Sequence, residues 1–346
     1  MKIEKSSYGK TASGDAIDLY SITNSAGHSI QLTNYGAIIV SINVPDKTGQ
    51  LANVTLGFDK LDGYLQRHPY FGATVGRFCN RIAKGTFAID GQQYKLAINN
   101  GPNHLHGGNV GFDMLVWKAE EVSSEKQAGI RFTLLSPDGQ EGYPGNLNVT
   151  AEYLWDESST LTAKFSATSD KPTPVNLTNH AYFNLGGSKS GVIYDHQLQL
   201  HCDKYLAVDN DMIPTGAIVD VANTPLDFRQ PHTIGERISQ LPATNGYDHC
   251  FVVNGDAGKL RACANVVDPK SGRGMEIQTT QPGVQLYTGN FLAGNEGNGG
   301  FKQHEAFCLE TQHYPNAPNK PSFPSTLLKP GEKFEQTTTF KFYVAK

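Results

Sequence analysis

Apolar side chains in this chain recur every second residue, in one segment after another. Leu161, Ala163, Phe165 and Ala167 alternate with Thr162, Lys164, Ser166 and Thr168, as a strand with one buried face requires. Phe340, Phe342 and Val344 repeat the spacing near the C-terminal end. Between Ala88 and Tyr94, Asp90-Gly91 separates two strand-like halves, and that dipeptide supplies the positive φ values of a tight hairpin. Further strands are expected at 30–34, 37–44, 129–135, 147–155, 194–201, 249–254, 260–267, 274–280, 284–288 and 306–311. The 36 glycines and 18 prolines punctuate the chain often enough to make long helices scarce. The one helical expectation, HTIGERISQ at 232–240, has a weak period. These features predict an all-β protein built as a large antiparallel β-sandwich.

At 346 residues, the usual ~150 residues per domain would suggest two domains. No segment of linker composition divides the chain, however. AGNEGNGG at 293–300 reads as a mobile loop between two strands, so a single domain over 1–346 is expected.

Charged residues make up 18% of the chain, against about 25% in ordinary domains, and the hydrophobic fraction of 38% excludes a disordered chain. A net charge of −4 offers no basic footprint for nucleic acid or an anionic membrane. No apolar run reaches the ~18 residues of a membrane span, and the first twenty residues lack a signal-peptide core. Cys79, Cys202, Cys250, Cys263 and Cys308 are odd in number and show no CxxC spacing, which predicts reduced packing thiols and a cytoplasmic protein.

Polar and ionisable residues gather beside glycine and aromatics in five segments: GRFCNRI at 76–82, NHLHGG at 103–108, NLTNHAYFNL at 176–185, GYDH at 246–249 and LETQ at 309–312. A sandwich can project several strands toward one concave face, bringing such segments together. Histidine and a carboxylate in a dry pocket are suited to proton transfer near neutral pH. His104 and His106, two apart on a strand, would face one way and could begin a metal site, but no third ligand stands nearby in sequence and no HExxH or cysteine pair is present. His104 reads better as a partner for backbone at a glycine turn. No GxSxG elbow, GxGxxG or GxxxxGK[ST] occurs, which leaves a serine nucleophile or a nucleotide cofactor without a motif.

Taken in order, GRFCNRI, NHLHGG, NLTNHAYFNLGG, GYDH, TTQPGVQLYTGNF and LETQHYPNAPNKPSFP closely resemble the aldose 1-epimerase (galactose mutarotase) family, from about Asn34 to Lys329-Pro330-Gly331-Glu332 and beyond. The resemblance implies a β-supersandwich enzyme that interconverts the α and β anomers of free aldohexoses without metal or organic cofactor. It implies that Glu310 is the general base toward the anomeric hydroxyl and His180 the general acid toward the ring oxygen. It further implies that Asn80, Arg81 and His106 hold the sugar near that oxygen, that Asp248 accepts from sugar hydroxyls, and that Gln285 and Tyr182 contact the sugar or line the pocket.

Residue types alone would allow Glu310 to be a solvated strand-end carboxylate, His180 and Asp248 turn partners, and Arg81 a surface ion-pair member. His196, His201, His232, His304 and His313 lack such context and read as structural, and packing is the expected role for most of Tyr287, Phe291 and Tyr314. Two departures from the family pattern are Asn316, which removes a charge expected near the pocket rim, and Cys79.

A small-molecule aldose is the expected partner, with neither nucleic acid nor membrane, in a monomer or homodimer. The alternative is a noncatalytic sugar-binding protein on the same scaffold, which would not require an acid–base pair. A glycoside hydrolase would need two flanking carboxylates, for which only Glu310 and Asp248 are candidates. An epimerase of hexose 6-phosphates would need an additional basic cluster for the phosphate.

Overall fold

The computed structural model describes residues 1–345. Nine antiparallel strands form the largest sheet, in the order Lys118–Ser123, Gln127–Ser136, Leu147–Asp156, Thr160–Ser169, Phe334–Val344, Arg273–Thr279, Arg261–Val267, Gln197–Leu200 and His232–Thr233. The alternation read at 161–168 sets its face: Leu161, Ala163, Phe165 and Ala167 are buried inward, and Lys164 points to solvent. An N-terminal sheet runs from Lys2–Lys10 through Ala16–Thr23, Ser29–Thr33 and Ile38–Pro45 to Leu51–Asn53. A second five-stranded sheet has the order Pro214–Asp220, Lys204–Val208, Asp248–Val252, Gly283–Tyr287, Cys308–Gln312. The fold is therefore an all-β antiparallel sandwich. Ile22 and Ile30 of the N-terminal sheet, Phe132 and Phe340 of the large sheet, and Phe251 and Leu286 of the third belong to one continuous apolar core.

The strands expected from alternation are present to within a few residues. The hairpin pairs Thr86–Ile89 with Gln92–Lys95, and its turn residues Asp90 and Gly91 take φ of 50° and 84°. The helix expected at 232–240 is absent: His232–Thr233 is an edge strand, followed by single 3₁₀ turns at Ile234–Glu236 and Ile238–Gln240. Only Ile234 and Ile238 of these turns are buried, too narrow an apolar stripe to hold a helix against the core. At 293–300 the loop carries a 3₁₀ turn, Glu296–Asn298, with the Asn295 side chain accepting from Asn298 N–H.

The third sheet positions the site through register. Gln285 lies opposite Cys250 on one side and Glu310 on the other, and Tyr287 lies opposite Asp248 and Cys308. Directly opposed residues share a face, so Asp248, Gln285, Tyr287, Cys308 and Glu310 all project from one surface. The alternate residues Phe251, Val284, Leu286 and Leu309 project from the other, into the core.

Candidate active site

Three irregular segments close over that surface. In GRFCNRI the two arginines separate. Arg77 is buried and donates to Ser136 Oγ and to the carbonyls of Ser136, Pro137 and Pro144, so it ties loops together. Four residues on, Arg81 stays partly exposed, held by Asn100 Oδ1 at 3.2 Å, with its guanidinium 3.9 Å from Asp248. Asn80 has a φ of 61°, and its side chain accepts from Arg81 N–H at 2.8 Å, which fixes the direction of the arginine.

In NHLHGG, His104 spends both ring nitrogens on structure, Nδ1 on the Ala97 carbonyl at 2.8 Å and Nε2 on the Tyr143 hydroxyl at 2.7 Å. The left-handed φ of 50° at His106 ends the two-residue strand His104–Leu105, so the two imidazoles do not form the same-face pair expected of a continuous strand. Nδ1 of His106 accepts from Asn80 N–H at 3.1 Å. Gly107 follows with φ of 88°, and a Cβ there would lie 1.8 Å from the Gly76 carbonyl oxygen, so this glycine is required by a close approach of two backbones.

In NLTNHAYFNL the asparagines are scaffolding. Asn176 donates to the carbonyls of Cys79 and His313, and Asn179 to Gly72 and to the Tyr153 hydroxyl. His180 is pinned through its backbone on both sides, N–H to Ala73 and carbonyl to Gly72 N–H. Its ring lies nearly parallel to those of Tyr182 and Tyr70, at 5.0 Å and 5.8 Å between centroids, and edge-on to His106 at 5.2 Å. Tyr182 is 2% exposed and packs its other neighbours, Phe71 and Tyr287, edge to face; it backs His180.

Seven of the eight anticipated residues form a continuous arc. Gln285 Nε2 donates to Asp248 Oδ1 at 2.6 Å, Asp248 faces Arg81, Arg81 adjoins Asn80, Asn80 contacts His106, and His106 adjoins His180. Nε2 of His180 lies 3.6 Å from Oε1 of Glu310, which stands across from Gln285. Tyr182 is the eighth, behind the arc. Glu310 is 2% exposed, and its Oε2, like Oε1 of Gln285, has no hydrogen-bond partner among the described residues. Buried polar atoms left this way mark a place where a polar ligand would complete the bonding.

The electrostatics move Glu310 and His180 in opposite directions. Burial, followed by the charge of Asp248, pushes the Glu310 carboxyl well above the ordinary carboxylate range, and Arg81 opposes this. Burial holds the His180 imidazole down at about 4, below the ordinary value of about 6.5. His106 is likewise pushed down by burial, with the charges of His180 and Arg81 adding to the effect. Two imidazoles kept neutral and one buried carboxyl are also metal-ligand types. One ligand atom from each of His106, His180 and Glu310 falls within 4.8 Å of the others. Nδ1 of His106 is already engaged by Asn80, leaving Nε2.

Several residues fall outside their expected places. Asn316 is buried rather than rim-exposed; its Oδ1 accepts from Ala83 N–H at 3.1 Å and its own N–H donates to the Arg81 carbonyl, so it braces the Arg81 segment. Phe291 is 64% exposed and so is no core residue, and Tyr287 is half-buried with its ring 6.4 Å from that of His180; Tyr314 is buried against Phe323. Tyr70, whose ring lies 4.6 Å from His106, was not anticipated, because its φ of 61° and its approach to the histidines leave no periodic trace in sequence. His196 and His304 are bonded to main chain, as expected of structural histidines. All five cysteines are buried and free.

The family model described as Aldose 1-epimerase matches residues 18–341. Galactose mutarotase from Bos taurus is 50% identical over 319 residues, 91% of each chain. Aldose 1-epimerase from Escherichia coli strain K12 is 34% identical over 336 residues, 95% of this chain and 96% of its own. The crystal structure of galactose 1-epimerase from Lactobacillus acidophilus superposes over 100% of both chains with a TM-score of 0.90 at 30% identity. On this breadth of similarity, together with its all-β fold, the chain belongs to the aldose 1-epimerase family.

Proposed function

We propose that this epimerase interconverts the α and β anomers of free aldohexoses such as galactose and glucose, with Glu310 and His180 as the proton carriers. The observation that carries the reading is their placement, 3.6 Å apart and both buried, on the surface that also presents Arg81, Asp248 and Gln285. The names of the relatives, galactose mutarotase and aldose 1-epimerase, support the substrate class.

Opening a hemiacetal requires one proton to leave the C1 hydroxyl while another reaches the ring oxygen. Ionised Glu310 takes the first and protonated His180 supplies the second from Nε2, giving the open aldehyde, protonated Glu310 and neutral His180. Rotation about C1–C2 turns the other carbonyl face to the 5-hydroxyl. As that oxygen attacks C1, His180 takes its proton and Glu310 returns one to the carbonyl oxygen.

The states before opening and before closure hold the same number of protons and differ only in where one of them sits. The opposed pKa shifts place it on Glu310 in the free site. Arg81 favours the carboxylate and Asp248 the acid, so this pair of charges sets the balance. Asn80, Arg81 and His106 hold the sugar near its ring oxygen, Asp248 and Gln285 accept and donate to its hydroxyls, and Tyr182 supports the acid from behind.

We further read residues 1–346 as one domain, supported by a core that joins all three large sheets. No helix among the described residues is long and apolar enough to cross a membrane. Five buried free thiols support a cytoplasmic setting, with a small aldose rather than nucleic acid or membrane as partner, in a monomer or homodimer.

Polarimetry of freshly dissolved α-D-galactose or α-D-glucose tests the proposal. Relaxation of optical rotation faster than in buffer supports it, and relaxation at the buffer rate refutes it. Chelation is expected to leave the rate unchanged; loss of rate restored by zinc would instead favour a metal held by His106, His180 and Glu310.

A further inference from the structure

Besides Glu310 at Nε2, two tyrosines and Cys308 define the setting of His180, and of these three only Cys308 distinguishes the two edges of its ring. Tyr70 and Tyr182 each lie 23° from its plane. Stacking of this kind fixes a plane, but a half-turn about the Cβ–Cγ bond leaves the plane unchanged while moving Nε2 away from Glu310. The Cys308 Sγ, 3.6 Å from Nδ1, is the contact that such a turn would break. Cys308 is two residues before Glu310 on the strand Cys308–Gln312, so both side chains share a face and both reach the same imidazole, one at each nitrogen.

We propose that Cys308 is a positioning residue for His180, accepting a hydrogen bond from Nδ1–H and so presenting Nε2 to Glu310 and the sugar. This inference depends on the acid role assigned to His180 above. In that role Nε2 alternates between protonated and bare, so Nδ1 must keep its proton throughout, and its partner must be an acceptor. Burial, with the charges of Glu310 and Asp248, pushes the Cys308 thiol well above the ordinary thiol range, which keeps it neutral. A neutral sulfur is a weak acceptor. It orients the ring without raising its basicity as a carboxylate partner would, and an imidazole held down at about 4 gives up its proton readily once protonated.

The test compares Cys308→Ala and Cys308→Ser with the unmodified enzyme, each checked for fold by circular dichroism. Cys308→Ala is expected to lower kcat by about tenfold with KM changed less than about twofold, and Cys308→Ser, whose hydroxyl also accepts, to restore most of the rate. Nitrogen-15 NMR of the histidine rings, assigned with His180→Asn, is expected to show the Nδ1–H tautomer of His180 in the unmodified protein and a mixture in Cys308→Ala. An unchanged kcat in Cys308→Ala, a folded Cys308→Ser as slow as the alanine variant, or an Nε2–H tautomer in the unmodified protein would each overturn the proposal. The NMR arm is read without turnover, so failure of the unmodified enzyme to speed mutarotation counts against the function and not against this contact.

Discussion

Nε2 of His180 stands 3.6 Å from Oε1 of Glu310, long for a hydrogen bond between them and short enough for both to reach the two oxygens on one anomeric carbon. The pair comes from strand Cys308–Gln312 and from the residue that follows the short strand Thr178–Asn179, elements 130 residues apart in sequence that lie side by side in the fold.

Glu310→Gln and His180→Asn each remove a proton carrier while keeping shape. Each is expected to lower kcat by about 10²–10⁴ with the fold intact by circular dichroism. Near-normal turnover in either variant removes the role assigned to that residue.

The same shifts predict how stability depends on pH. His180 has its pKa depressed to about 4 in the fold, against about 6.5 unfolded, so the unfolded chain binds more protons between these values. Stability rises with pH across that window and is lost on acidification through it, by about 3 kcal/mol at full extent. Glu310 is raised, with the opposite sign: its contribution is present below the ordinary carboxylate pKa and is lost as pH rises from there. Thermal melts of Glu310→Gln should therefore exceed those of the unmodified enzyme at pH 8 and converge with them near pH 4; equal melting temperatures at pH 8 would contradict the raised carboxyl.

Asp248 meets Gln285 at 2.6 Å, faces Arg81 and raises Glu310 by its charge. Asp248→Asn is expected to raise KM about tenfold through lost acceptance from sugar hydroxyls. It should also move the basic limb of the pH–rate profile to lower pH, because the raised Glu310 carboxyl loses a neighbouring negative charge. A shifted limb with unchanged KM would place Asp248 outside the sugar's reach.

Gly107→Ala adds a Cβ at 1.8 Å from the Gly76 carbonyl and strains a φ of 88°. A cost of at least about 2–4 kcal/mol is expected, read as a fall in the urea midpoint, together with loss of turnover because His106 adjoins the displaced turn. A midpoint within error of the unmodified enzyme would show that the two backbones can separate freely.

Strands were legible where one face is buried and the other is wet, as at 147–155 and 161–168. The N-terminal strand Lys2–Lys10 was not, because no residue in it is fully buried and KIEKSSYGK has no apolar stripe. Likewise the two 3₁₀ turns after His232 imitate a helical spacing over nine residues without the buried face that would sustain one. At the site, the motif order pointed to Glu310, His180, Arg81 and Asp248, which the fold brings together, but it gave no signal for Tyr70, Cys308 or the buried bracing contacts of Asn316, each of which depends on contacts made across the fold.

The local pattern of this sequence, with its period of two, its Asp-Gly turn and its ordered polar segments, was sufficient for the fold class and for the chemical types available. Such features depend on neighbours along the chain, and neighbours can be read from sequence. Which arginine faces Asp248, which imidazole nitrogen faces the carboxylate, and in which direction burial moves Glu310 and His180 were decided by the tertiary structure alone. The four hydrogen bonds of Arg77, the stacked rings around His180 and the burial of Glu310 all arise from segments that meet only after the sheets have packed.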